Sequence, residues 1–212
     1  MNFEISSSDN KSTNQESSDY IDKLTGFANF NWLKDKIPIV IEEFSGQCGL
    51  LFLDIDGLKQ INDSQGHSAG DEYIKLVANL TNSCIRQKKD DRQEDFLGRF
   101  DNGGLARIHG DEFVVLLPGV STIDEVDIVK NRIQMTLDKQ NIHVSIGGAA
   151  VNNQEMEVEQ VFRTLLEEAD RMMYLNKEDR KKITIESLPP HKRLAFEVGR
   201  TLIKISGINL QR

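Results

Sequence analysis

The sequence predicts an α+β domain, a central β-sheet flanked by helices. Apolar runs of strand length occur at Gly49 to Ile55, Leu105 to Ile108, Phe113 to Leu117 and His143 to Val151. Between them lie segments whose apolar residues recur every three or four positions, the helical period. The two kinds mix without strict alternation, which argues against a purely parallel α/β arrangement.

Each element has its own signal. Residues 5 to 18 are polar and lack large apolar side chains, so residues 1–19 read as a flexible lead-in and the folded part starts near Tyr20. Phe30, Leu33, Ile37, Val40, Ile41 and Phe44 mark an amphipathic helix over Asn29 to Phe44, with Pro38 expected to cap or kink it. Gly49 to Ile55 is a continuous apolar run bounded by Gly and Asp, the pattern of a buried strand. A second helix is expected from Ser68 to about Gln87, with Tyr73, Val77, Leu80 and Cys84 on one side. Lys88 to Asp95 is a charge run. Two apolar segments then flank His109-Gly110-Asp111-Glu112, the pattern of a hairpin with that tetrad at its tip. A helix over Thr122 to Asp138, a strand over His143 to Val151 and a long helix over Val158 to Asp179 follow, the last with Val161, Leu165, Ala169, Met172 and Met173 in period. Lys182 to Glu186 alternates like a short edge strand, Pro189-Pro190 breaks the chain, and Arg193 to Ile205 reads as a last amphipathic helix within residues 188–212.

Composition bounds the function. The chain has 212 residues, 38% of them hydrophobic, and no internal repeat, which fits one domain with appendages over about residues 20–187. A core of roughly 150 residues hides about 70% of the unfolded surface, so no disulfide or structural metal is required. With 26 Lys plus Arg against 34 Asp plus Glu, the net charge is −8. That balance disfavours polymeric nucleic acid and anionic membranes, which clustered cations grip. The two cysteines, Cys48 and Cys84, read as small core residues. No signal peptide or membrane-length apolar run is expected, which makes a cytoplasmic location the default.

Four tracts carry candidate chemistry. Asp54-Ile55-Asp56 closes the most apolar strand, where a carboxylate either caps a turn or holds a hard cation. Lys59 to Asp71 combines Lys59, Asn62, His67, Asp71 and two glycines ahead of a helix. It reads either as an anion-receiving helix start or as a capping box from Ser68 to Asp71. Asp111 and Glu112 are adjacent carboxylates that repel unless a cation lies between them, or else belong to a solvated turn. Lys177 and Arg180-Lys181-Lys182 are cations that either complement a helix C-terminus or reach a phosphate.

Taken in order, Asp22-x-Leu-Thr-Gly26, the tract Asp54-Ile-Asp-x-x-Lys-x-Ile-Asn-Asp-x-x-Gly-His-x-x-Gly-Asp71, Arg107-x-x-Gly-Asp-Glu-Phe113 and Ala169-Asp-x-x-Met-Tyr-x-x-Lys177 resemble the signature of the GGDEF domain family, the diguanylate cyclases, over about Tyr20 to Glu186. The resemblance implies a palm-like sheet similar to class III nucleotide cyclases. It also implies condensation of two GTP into cyclic di-GMP across a homodimer, with Mg²⁺, or Mn²⁺ in its place, as the cofactor. Carried over by motif position, Asp54, the carbonyl of Ile55, Asp111 and Glu112 hold the metal. Asp111 also helps to deprotonate the 3′-hydroxyl, and Lys59 stabilises charge on the phosphates. Asn62 and Asp71 read the guanine edge and His67 shapes the same pocket, while Lys177 and Lys181 touch the β and γ phosphates. A sensor or regulatory protein partner is implied as well. The alternatives are a GTP-binding module without turnover and a cyclase that makes an adenosine-containing dinucleotide; Asp71 speaks against the latter.

The chain departs from the family pattern in three places. His109 stands where the family has the first glycine of its pair, which matters if that backbone needs φ > 0 or if the nucleotide approaches closely. The connection around Lys88 to Gly104 is long, and Phe100 and Gly103 fill the register of the Arg-x-x-Asp product-inhibition motif. No feedback inhibition of that kind is therefore expected. Finally, the usual Gly-Arg pair after the last helix reads Arg180-Lys181, with Lys in place of a bidentate Arg.

Overall fold

The computed structural model describes residues 19–85 and 104–187. In chain order these form β1 (Ala28–Asn29), α1 (Phe30–Glu43), β2 (Gln47–Ile55), α2 (Leu58–Gln65), α3 (His67–Ile85), β3 (Leu105–His109), β4 (Glu112–Pro118), α4 (Ile123–Asp138), β5 (Val144–Asn152) and α5 (Val158–Ser187). The strands make one sheet in the order β1-β3-β4-β2-β5. Only the short β1 runs parallel to its neighbour β3, and the other adjacent pairs are antiparallel. The α+β architecture expected from the mixed pattern is the one observed.

The central strand β2 has no polar face because helices cover both sides of the sheet. Cys48, Leu50 and Phe52 pack with residues of α1 and α5, while Leu51, Leu53 and Ile55 pack with residues of α3 and α4. Two layers of core on opposite sides explain the unbroken Leu-Leu-Phe-Leu run. Both cysteines are buried and unpaired, and burial pushes the Cys48 thiol up to about 12. Each is a packing residue, as expected.

The helix ends follow local chemistry. Asn29 caps α1 by accepting the Trp32 N–H at 3.2 Å, a contact of the kind worth about 1 kcal/mol. Thr122 and Glu125 form a reciprocal capping box at the start of α4. Pro38 neither caps nor ends α1, which continues through it. The missing backbone hydrogen bond is offset by burial of Ile37, Val40 and Ile41 on one face.

Four expectations are corrected. The tract between β2 and α3 contains its own helix, α2, bracketed by Gly57 at φ +79° and Gly66 at φ +88°. Because α3 begins at His67, Ser68 lies inside its first turn and is not a cap to Asp71. The hairpin tip is Gly110-Asp111 rather than a tetrad, with Gly110 at φ +51°, and Glu112 is the first residue of β4. Lys182 to Glu186 continues α5 instead of forming an edge strand. An established helix gains one hydrogen bond per added residue, whereas a strand there would need a partner edge. The expected lead-in up to residue 18, the insertion over 88–103 and the amphipathic helix over 193–205 lie outside the described residues. Among the described residues no helix is long and apolar enough to cross a membrane.

Candidate active site

Strand parity aims Asp54 at α5. Cys48, Leu50 and Phe52 alternate toward the face covered by α1 and α5, and Asp54 is the next residue of that set. On the helix, Val161, Leu165, Ala169 and Met173 form a buried stripe at four-residue spacing, and Lys177 is its next position. Two apolar rows therefore end in opposite charges at the same corner. The Lys177 ammonium donates to Asp54 Oδ1 at 2.6 Å. Close approach of the two elements depends on Gly147 of β5, where a Cβ would collide with the backbone of Ala169 and Met173. Beside it, the Ile146 N–H donates to the Asn176 side chain at 3.2 Å.

Other carboxylates crowd the same corner. Glu112 pairs directly with Asp54 across the antiparallel β2–β4 ladder, which puts both side chains on one face of the sheet. The Ile55 N–H donates to the Asp111 carbonyl at 3.2 Å, so the hairpin tip rests over the end of β2. Burial raises the Asp54 carboxyl above its ordinary value despite the Lys177 contact, and the Asp111 and Asp56 charges push the same way. Glu112 is raised too, first by burial and then by the charges of Asp54, Asp111 and Asp170, with His109 acting against them. The Lys177 ammonium is held above its ordinary value: burial opposes this, but its hydrogen bond and charge contact with Asp54 outweigh burial.

A second pair lies one step further out. Ser145 Oγ donates to Asp56 at 2.9 and 3.2 Å to its two oxygens, and Arg180 Nη1 stands 3.9 Å from Asp56 Oδ2. The Asp56 N–H is bonded to the His143 carbonyl at 3.0 Å.

The hairpin is clamped from behind. Arg107 donates through Nε and Nη2 to the Gly110 carbonyl at 2.9 and 2.7 Å, and through Nη1 to both oxygens of Asp22 at 3.2 Å. Asp22 also accepts from the N–H and hydroxyl of Thr25. Burial works to raise the Asp22 carboxyl, but the Thr25 bonds and the Arg107 charge leave it below its ordinary value. Through this clamp the Asp22-x-Leu-Thr-Gly tract fixes the loop that carries Asp111. His109 pairs with Glu112 next to a bulge in β3. Its backbone is not among the positive-φ residues, so the position requires no glycine for conformational reasons.

The α2–α3 elbow holds the second group. Asn62 sits in α2 with its side-chain amide against Gly70 of α3, where any Cβ would collide with Asn62 Oδ1. Asp71, one residue beyond that contact, is exposed, as are Lys59 on α2 and His67 at the start of α3. Gly57 caps α2 without any side-chain hydrogen bond, which leaves first-turn N–H donors without a side-chain acceptor there.

Asp54, Asp111, Glu112 and Lys177 are thus brought together, and Asn62 and Asp71 share the elbow. Lys181 is set apart: 58% exposed, it pairs with Glu178 on its own helix at 2.9 Å. Sequence reasoning read Arg180 only as part of a basic cluster that complements a helix end or reaches a phosphate, and gave no individual role to Asp22, Arg107, Asp56 or Ser145. Asp22, Arg107 and Asp56 stood inside the quoted motifs, so the signal was present for those three; Ser145 offered none.

The donor set suits a hard cation. Oxygen ligands from Asp54, Asp111 and Glu112, mutually repelling and without a thiol or neutral imidazole among them, match Mg²⁺ or Mn²⁺ better than a softer metal. Among the described residues no three His, Cys, Asp or Glu side chains form a ready-made cage. The positive charge in contact with Asp54 is the Lys177 ammonium.

Comparison with known proteins gives the family and the fold. The family described as diguanylate cyclase, GGDEF domain matches residues 19–182. Diguanylate cyclase DgcS of Shewanella oneidensis is 29% identical over 164 residues, covering 72% of this chain and 48% of DgcS. Probable diguanylate cyclase DgcT of Escherichia coli is 27% identical over 183 residues, covering 79% of this chain and 36% of DgcT. The chain therefore spans less than half the length of either relative. The solved coiled coil and GGDEF domain of DgcB from Caulobacter crescentus, in complex with c-di-GMP, shares the fold with a TM-score of 0.62 at 22% identity, over 80% of this chain and 87% of that one.

Proposed function

The chain belongs to the GGDEF domain family of the diguanylate cyclases, and on that premise we propose that it condenses two GTP into cyclic di-GMP and two pyrophosphates across a pair of domains. One observation carries the reading: Asp54, Asp111 and Glu112 gather at the end of β2 beneath the Lys177 ammonium. Such a corner pairs cation ligands with a phosphate-seeking charge.

Asp54, the Ile55 carbonyl, Asp111 and Glu112 would hold Mg²⁺ or Mn²⁺. When bound, the cation neutralises triphosphate charge and lowers the pKa of a nearby hydroxyl. Each 3′-oxygen forms a bond to the α-phosphorus of the GTP on the facing domain as the bond from that phosphorus to pyrophosphate breaks. The hydroxyl proton passes through the Asp111 carboxylate to solvent. Lys177 exchanges Asp54 for phosphate oxygens, and Lys59 adds charge as the transition state forms. The Asp71 carboxylate accepts from guanine N1–H and N2–H, donors that adenine does not present as a pair, while Asn62 and His67 complete the pocket. A single domain holds one GTP, so turnover requires two copies.

A GTP-binding regulatory module without turnover is the second reading, and His109 is its motive. His109 is outside the left-handed region that favours glycine, which weighs against the conformational part of that objection. The deciding experiment incubates the purified chain, at concentrations that favour dimers, with GTP and Mg²⁺ and assays for cyclic di-GMP. Product is expected; GTP binding with no product at any concentration would leave the regulatory reading.

A further inference from the structure

We propose that a groove at the far end of the sheet from the carboxylate corner receives the basic amphipathic segment, residues 193–205, of a second copy of this chain. The groove lies where α1 ends and α5 begins. Its volume is about 410 Å³, and Pro38, Ile41, Met156 and Val158 supply its apolar lining. Backbone holds its walls together: the Asn153 N–H donates to the Gly46 carbonyl at 3.3 Å, and at Gly46, φ +78°, a Cβ would collide with the Asn153 backbone. The two tracts that build it, residues 38–47 and 152–160, contain Glu42, Glu43, Glu155, Glu157 and Glu159 and no Lys, Arg or His. All five glutamates are exposed. Ile39, one turn before Glu42 and Glu43 on α1, is itself 51% exposed. An apolar floor among acidic side chains suits a cationic amphipathic occupant.

Residues 193–205, which lie outside the described residues, have the complementary pattern in their sequence. Leu194, Val198, Leu202 and Ile205 recur at the helical period, and Lys192, Arg193, Arg200 and Lys204 accompany them with Glu197 as the single acid. In a chain of net charge −8 this tract is a local excess of cation. Length assigns it to a different copy. The groove sits at the first turn of α5, and that helix of 30 residues carries the chain about 45 Å away from it. Residues 188–192 return at most about 18 Å when extended, and a helix over 193–205 adds about 20 Å. The apolar face of the segment therefore ends short of its own groove, whereas a second copy can present it without that limit. The carboxylate corner stays uncovered, since it lies about 25 Å away along β2, and the proposal is independent of the reading on GTP.

The test uses the full chain and, as probe, a fluorescein-labelled synthetic peptide of residues 191–206. A chain carrying Leu194→Asp and Leu202→Asp, whose own segment is disabled, should bind the peptide saturably, read by fluorescence anisotropy at low salt. Binding should weaken about tenfold or more when that chain also carries Val158→Lys, and about tenfold when Glu155, Glu157 and Glu159 are all changed to Gln, the effect of losing an anchor contact or several charges. The Gln set keeps side-chain size at exposed positions, so it reads charge independently of any disturbance that Val158→Lys causes in α5. Sedimentation equilibrium then identifies the copy. An equimolar mixture of the Val158→Lys chain and the Leu194→Asp, Leu202→Asp chain should form mixed dimers about tenfold more tightly than either variant self-associates. Absence of saturable binding, or equal binding to the native and altered grooves, overturns the proposal. Groove-dependent peptide binding with no gain on mixing overturns it as well, because the segment then docks within its own chain.

Discussion

The carboxylate corner and the α2–α3 elbow are built in opposite ways. The corner joins Asp54, Glu112 and Lys177, residues brought together by sheet register and by a helix from the far end of the chain. The elbow joins Asn62 to Gly70 within a single helix–turn–helix, bracketed by glycines at Gly57 and Gly66. Charge and burial shape the corner, where like charges are confined and Asp54 and Glu112 are pushed up. Backbone geometry shapes the elbow. On the proposed function, turnover would therefore depend on long-range packing, and base recognition on a local turn that can be altered without disturbing the sheet.

The largest expected effect lies at the corner. Asp111→Asn removes a charge from the hairpin tip and a proton acceptor from the proposed reaction, and turnover should fall about 10²- to 10⁴-fold with guanine selectivity retained. Equal rates in the variant and the parent would refute the role of Asp111. Next comes the elbow. Gly70→Ala puts a methyl group where the Asn62 amide now sits, and guanosine nucleotide affinity should fall about tenfold, with at most about 1–3 kcal/mol lost from stability. Calorimetry with GTP and ATP reads the change, and an unaltered preference for GTP would remove Asn62 from base recognition.

Acid separates the corner from the clamp behind the hairpin. A carboxyl raised in the folded state protonates at higher pH than an ordinary one, so cation binding should weaken as pH falls through the raised values of Asp54 and Glu112. The linkage for folding has the opposite sign. The raised groups favour the cation-free fold most below their ordinary value, and that contribution is lost as pH rises through their folded values. Asp22, which is lowered, adds stability above its ordinary value of 3.8 and loses it as pH falls through the folded one. Mild acid should thus release the cation while the Asp22–Arg107 clamp persists, which titration calorimetry and a thermal melt at the same pH can resolve. Cation affinity unchanged down to the ordinary carboxylate range would contradict it. The smallest effect belongs to His109→Gly. With an ordinary strand backbone at that position, turnover should change by about threefold or less, against the view that close approach at a glycine is required; a gain of about a hundredfold would show that His109 obstructs the site.

Legibility in the sequence follows the same division. Strands and long helices are readable because their apolar periods are local, and β2 stands out because both of its faces are buried. The short helix α2 escapes a periodic reading: eight residues give only Leu58 and Ile61 as a period, and its glycines at both ends read as loop. Lys182 to Glu186 misleads because alternation describes a strand only when an edge is available to pair with. At the site, the order of motifs names Asp54, Asp111 and Lys177, but spacing alone cannot say that Lys177 sits on Asp54. Contacts separated by more than a hundred residues leave no trace in a local pattern.

Gly147 has a mechanical meaning. With helix backbone resting on strand backbone and the Ile146 N–H tied to Asn176, α5 has no cushion of side chains on which to roll or slide. It behaves as a fixed fence beside the carboxylate corner, and the side chains of Lys177 and Arg180 bridge from fence to floor. Ligand entry should consequently be accommodated by rotation of those two side chains, with the helix axis standing still.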